Sequence, residues 1–86
     1  MVKALVFDLD GTLIDSAKAH AISWYESFKI FGYHVEFNKI LSLIGLPGYD
    51  IVKRLLGQNT LRRYNEIRVI KDRIYLNLLK RGDIKL

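Results

Sequence analysis

The chain has 86 residues, half of them hydrophobic and 12% aromatic, with no cysteine and a formal net charge of +5. That length allows one domain at most, of marginal stability; the composition excludes a disordered tail; and the missing cysteines exclude disulfides and thiolate metal sites. No apolar run approaches the roughly 20 residues of a membrane span, and "MVKALVFDLD" lacks the pattern of a signal peptide, so the expectation is a cytoplasmic protein with no membrane partner, whose positive charge is compatible with phosphate esters or nucleic acid.

Val2 to Phe7 is apolar and β-prone apart from Lys3, without clean alternation, as in a strand buried on both faces. After Gly11 the pattern turns helical. Ala17, Ala21, Trp24, Phe28 and Phe31 recur at spacings of 4, 3, 4 and 3, which places them on one helix face. Asp15 or Ser16 can cap this helix and Gly32 can end it. A shorter helix is expected over Glu36 to Ile44 with Gly45 as its stop, and a third over Tyr49 to Leu56 after the turn "GLPG". Gly57 and Asn59 make a break, and Thr60 can cap a long last helix ending near Arg81. Its apolar stripe, Tyr64, Ile67, Ile74 and Leu78, contains Lys71, a position where a lysine ordinarily lays its stem on apolar surface and keeps its ammonium in water. The fold class expected is mostly α: one N-terminal strand followed by about four helices. The tail "DIKL" is the one other source of strand pairing.

The chemistry concentrates in "VFDLDGTLIDS", residues 6 to 16. Residues i and i+2 of an extended chain point the same way, so Asp8 and Asp10 project together from the end of the strand. Gly11 allows the backbone to turn sharply and a ligand to approach closely. Two converging carboxylates suit a hard, oxygen-preferring cation such as magnesium, or a pair in which one acid attacks and the other moves protons. A simple Asp-rich turn is the bland alternative. A calcium loop counted from Asp8 would need glycine and glutamate where Leu13 and Ala19 stand, so it fails.

The strand followed by "DLDGTLIDS" resembles the first signature motif of the haloacid-dehalogenase-like hydrolases. Residues 15 to 82, with "AHAISWYESFKIFGY" and "IGLPGYDIVKRLLG", resemble the helical cap inserted after that motif in the branch containing phosphoglycolate phosphatases and β-phosphoglucomutases. The resemblance implies a truncated α/β fold: residues 1–14 as first core strand and motif loop, 15–82 as cap, and 83–86 as the start of a return to the core. It implies Asp8 as the nucleophile that becomes an aspartyl-phosphate and Asp10 as the acid–base group. It also implies Mg2+ on the Asp8 carboxylate and the Asp10 backbone carbonyl, and phosphoryl oxygens held by the turn Leu9, Asp10, Gly11 and Thr12. Only the first of the family's four signature motifs is present in these residues. Magnesium is therefore expected to bind weakly or not at all to this chain alone, and hydrolysis of small phosphate esters to be lost.

Outside the motif, His20 borders the apolar face of the first cap helix, and Lys53 and Arg54 follow the "GLPGYD" turn; all three are candidates for substrate selection, with a structural or solvated role as the alternative. Arg62, Arg73 and Lys80 form a stripe interrupted by Glu66, which favours a solvated face over a nucleic-acid footprint. The rivals to a phosphatase by descent are a non-enzymatic helical interaction module and, more weakly, a basic nucleic-acid binder. An unpartnered apolar strand points to a homo-oligomer or a complementing chain.

Overall fold

The computed structural model describes residues 14–82 and 84–85, and shows the expected mostly helical architecture. The expected strand over Val2 to Phe7 and the motif residues Asp8, Leu9, Asp10, Gly11 and Thr12 lie outside the described residues. The described chain runs β1 (Ile14–Asp15), α1 (Ser16–Ile30), α2 (Phe37–Ser42), α3 (Gly48–Leu56), a 3-10 helix (Gln58–Arg63), α4 (Tyr64–Lys80) and β2 (Ile84–Lys85). The tail does supply strand: β1 and β2 pair in parallel, Ile14 opposite Ile84. Both isoleucines are buried and pack with Ala19, Ile22 and Leu78 in a small apolar cluster. This cluster explains one departure from the expected helix face. The first turns of α1 direct Ala19 and Ile22 inward, and Ala17 is exposed.

Helix α1 starts where its cap predicts. Asp15 accepts a hydrogen bond from the Lys18 amide at 2.8 Å, satisfying one of the donors that a helix start leaves open. The helix ends at Gly32, whose φ of 89° is a left-handed conformation that favours glycine. There the Tyr33 amide donates to the Phe28 carbonyl at 2.8 Å and the Gly32 amide to Lys29 at 3.0 Å, the paired bonds of a Schellman stop. Helix α2 is shorter than expected, ending at Ser42. The last helix also differs. Thr60 does not cap it; its hydroxyl donates back to the Leu56 carbonyl at 3.0 Å inside the 3-10 helix, and α4 begins at Tyr64.

The main core gathers Ala21, Trp24 and Phe28 of α1, Ile40 of α2, Ile51 and Val52 of α3 and Ile67 of α4. Trp24 and Phe28 stack obliquely with centroids 5.7 Å apart. Helices α1 and α4 run antiparallel: His20 meets Lys71 at one end, and the Ser27 hydroxyl donates to the Ile67 carbonyl at 2.7 Å further along. Ser23, Ser27 and Glu26 are all buried on α1. Ser23 returns its hydroxyl to the Ala19 carbonyl at 2.8 Å. Glu26 has Lys29 4.0 Å from one carboxylate oxygen, and no hydrogen-bond partner among the described residues for the other. None of the described helices is long and apolar enough to cross a membrane.

Candidate functional site

Gly45 turns the chain after α2 with a φ of 115°, and Pro47 and Gly48 start α3, so the segment 44–48 folds back over α1. Gly48 makes that approach possible. A β-carbon there would lie 2.9 Å from Trp24 Cζ2 and 2.9 Å from the Tyr64 hydroxyl. Between this segment and the start of the α1–α4 pair lies a cleft of about 300 Å3, lined by His20, Trp24, Ile44, Gly45, Leu46, Gly48, Ile51 and Lys71.

His20 and Lys71 are the polar side chains of this cleft. Lys71 does not reach water as its stripe position suggested; its side chain is only 9% exposed. The Nζ donates to His20 Nδ1 at 3.0 Å and lies 5.4 Å from the Trp24 ring centre and 5.1 Å from that of Tyr75. Those aromatic faces offset part of the cost of desolvating the ammonium. Asp72 is 3.7 Å away, and its other oxygen takes a 2.8 Å bond from Arg68. His20 is held by a parallel stack on Tyr75, 4.2 Å between centroids with the planes 6° apart. Burial depresses the pKa of His20, the Lys71 charge depresses it further, and Asp72 opposes both. Burial likewise depresses that of Lys71, against the pull of Asp72. The arrangement favours a neutral imidazole accepting from the lysine, whose ammonium also faces the Asp72 carboxylate.

Of the candidates named from sequence, His20 lines the cleft, whereas Lys53 and Arg54 stand exposed in the last turn of α3 and do not line it. Lys71, expected from sequence to lay its stem on apolar surface with its ammonium in water, lines the cleft with His20. Its signal was there: a cation inside an otherwise apolar stripe. The basic stripe is exposed at Arg62, Arg73 and Lys80, but the neighbouring Arg63 is engaged by Tyr33 at 3.4 Å and Glu66 at 3.6 Å. Among the described residues no group of three or more His, Asp or Glu could hold a metal ion. The expected magnesium ligands, Asp8 and Asp10, lie outside the described residues.

The model of the haloacid dehalogenase-like hydrolase family matches residues 5–83, and the chain belongs to that family. Over 55 residues, 64% of this chain and 29% of the relative, it is 29% identical to the fructose-1-phosphate phosphatase YqaB of Escherichia coli strain K12. Over 35 residues, 41% of this chain and 18% of the relative, it is 49% identical to an uncharacterized protein of Haemophilus influenzae. The chain thus covers less than a third of the length of these curated relatives. No solved structure shows a significant match.

Proposed function

We propose that this chain carries the nucleophile and the substrate-selecting cap of a magnesium-dependent phosphatase acting on small phosphate esters. The observation that carries the reading is the convergence of Lys71 and His20 in a cleft beside α1, the helix that follows directly from the Asp8–Asp10 motif. Turnover requires the family's other motifs, which this chain alone does not supply; with them, Asp8 attacks the phosphorus. Asp10 protonates the leaving oxygen and then takes a proton from the water that releases the phosphate. Amides of the turn Leu9 to Thr12 receive phosphoryl oxygens. The Asp8 carboxylate and the Asp10 carbonyl would hold magnesium, whose charge would let an anionic nucleophile approach an anionic phosphate. In this reading the cleft takes the organic part of the ester, with Lys71 donating to one of its oxygens.

The lining favours a small ester over a hexose phosphate. Apart from His20 and Lys71 its residues are Trp, Ile, Leu and Gly, whose side chains offer sugar hydroxyls one indole N–H and no acceptor. Alone, the 86 residues supply two acids of this chemistry and the cap. Trp24 is the chain's single tryptophan and lines the cleft, so its fluorescence tests the reading. Titration with phosphoglycolate should give a saturable change that is lost in Lys71→Met and weaker with fructose 1-phosphate. Equal responses from wild type and Lys71→Met would rule the cleft out. A second reading, docking to a partner chain, is favoured by Val69 and Leu76, which stand 45% and 52% exposed on α4.

A further inference from the structure

Helix α4 buries Ile67, Lys71 and Leu78 on one face. On the opposite face Glu66, Val69, Arg73, Leu76 and Lys80 are exposed, at spacings of 3, 4, 3 and 4 that make one continuous stripe. At its N-terminal end lies a groove of about 590 Å3 lined by Phe31, Arg63, Asn65, Glu66, Val69 and Ile70. Phe31 and Ile70 are half-buried there, so the groove and Leu76 offer two apolar seats, two helical turns or roughly 10 Å apart. Charge on this face is unbalanced. Glu66 answers Arg63 at 3.6 Å and Asp72 answers Arg68 at 2.8 Å. Arg62, Arg73 and Lys80 are exposed and form no ion pair among the described residues. We propose that this face docks an acidic amphipathic helix of a second protein, with one apolar side chain in the groove against Val69, a second against Leu76 one heptad away, and carboxylates beside Arg73 and Lys80.

A helix matches this face better than other occupants. Docked helices present apolar anchors at helical spacing for affinity, and flanking charge speeds encounter and fixes orientation. A second copy would set Arg62, Arg73 and Lys80 against the same cations, in a chain already at +5. A lipid surface calls for a broad apolar face, and here the two exposed apolar side chains of α4 are separated by Arg73. The site rests on the docking reading and not on the phosphate-ester one: α4 meets the cleft through Lys71, on its other face.

The test follows the fluorescence anisotropy of a labelled helical peptide, with leucine at the a and d positions of successive heptads and glutamate elsewhere, titrated with the whole chain at physiological salt. Saturable binding is expected, roughly tenfold tighter than that of the same peptide with glutamine in place of glutamate. Val69→Gln and Leu76→Gln, both at exposed helical positions, should each weaken it by roughly tenfold. Arg73→Gln should weaken it by roughly threefold, and Lys39→Gln, which removes the same charge from α2, should leave it unchanged. Equal binding of the glutamine peptide overturns the acidic partner and leaves docking standing, whereas binding indifferent to Val69 and Leu76 overturns both. Phosphatidylserine vesicles that bind through the same two side chains and displace the peptide would assign the face to a membrane. A dimer of the chain that is lost in Leu76→Gln would assign it to a second copy. Either result overturns the proposal. Should a variant fail to fold, the two peptides compared on the wild-type chain decide.

Discussion

Replacing Gly48 with alanine tests how the cleft is built. Gly48 opens α3 with no left-handed backbone to relieve, so alanine gains about 0.4–1 kcal/mol through a less flexible unfolded chain. Against this, the new methyl meets Trp24 Cζ2 and the Tyr64 hydroxyl at 2.9 Å each and Trp24 Cη2 at 3.2 Å. Trp24 cannot yield easily, because it is 4% exposed and wedged between Phe28 and Lys71. Overpacking of this kind costs about 1–3 kcal/mol. The net expectation is a loss of about 1–2 kcal/mol, which for a chain of this size lowers the thermal midpoint by roughly 4–16 °C. Thermal unfolding followed by circular dichroism gives the midpoint, and Trp24 emission gives the displacement. Gly45→Ala is the contrast: nothing lies within 4 Å of its added methyl, and its cost arises from the φ of 115°. It should destabilise while leaving Trp24 emission in place. A Gly48→Ala midpoint and emission both equal to wild type would refute the packing argument.

Ser27→Ala removes the hydroxyl that ties α1 to the Ile67 carbonyl and should cost about 1 kcal/mol in urea unfolding, with the slope unchanged. A larger slope change than midpoint change would point to a different cause. The pH dependence of stability follows from two depressed pKa values. Below the ordinary His value of 6.5, the unfolded chain takes up a proton that folded His20 resists, so stability should fall on acidification until the lower folded pKa is passed. At the alkaline end the unfolded chain holds its lysine proton up to 10.5 while folded Lys71 releases it earlier, so stability should rise in that window. Urea midpoints across this range check both limbs, and Lys71→Met should flatten the alkaline one and weaken the acidic one. Nucleic acid should bind weakly, without sequence preference, and fade steeply with salt, because the exposed stripe of Arg62, Arg73 and Lys80 is short. Submicromolar binding at physiological salt would contradict that.

The parts of the fold governed by local rules were legible in the sequence. Asp15 as cap, Gly32 as stop and the Ala21–Trp24–Phe28 face all follow from backbone donors and helical period. Where tertiary packing competes, local reading fails. Ala17 fits the stripe by spacing, but the first turns of α1 face the β1–β2 pair through Ala19 and Ile22 instead. Thr60 has the chemistry of a cap, yet the 3-10 helix after Gly57 uses its hydroxyl to return to Leu56. Ser23 and Ser27 sit buried on α1, each bonded to a carbonyl, a placement set by helix packing rather than by local pattern. The site divides in the same way. Asp8 and Asp10 announce themselves by adjacency, whereas Lys71 acquires its role from a histidine 51 residues away, through the antiparallel pairing of two helices.

The central claim is that one phosphate ester spans the acid motif and the cap cleft. Its most direct test is an amide NMR titration of the chain with phosphoglycolate in the presence of magnesium. The account predicts shifts in two groups that saturate together, one at residues 8–12 and one at His20, Gly45, Gly48 and Lys71. Shifts confined to the exposed Arg62, Arg73 and Lys80 stripe, or motif shifts that leave the cleft unmoved, would contradict it.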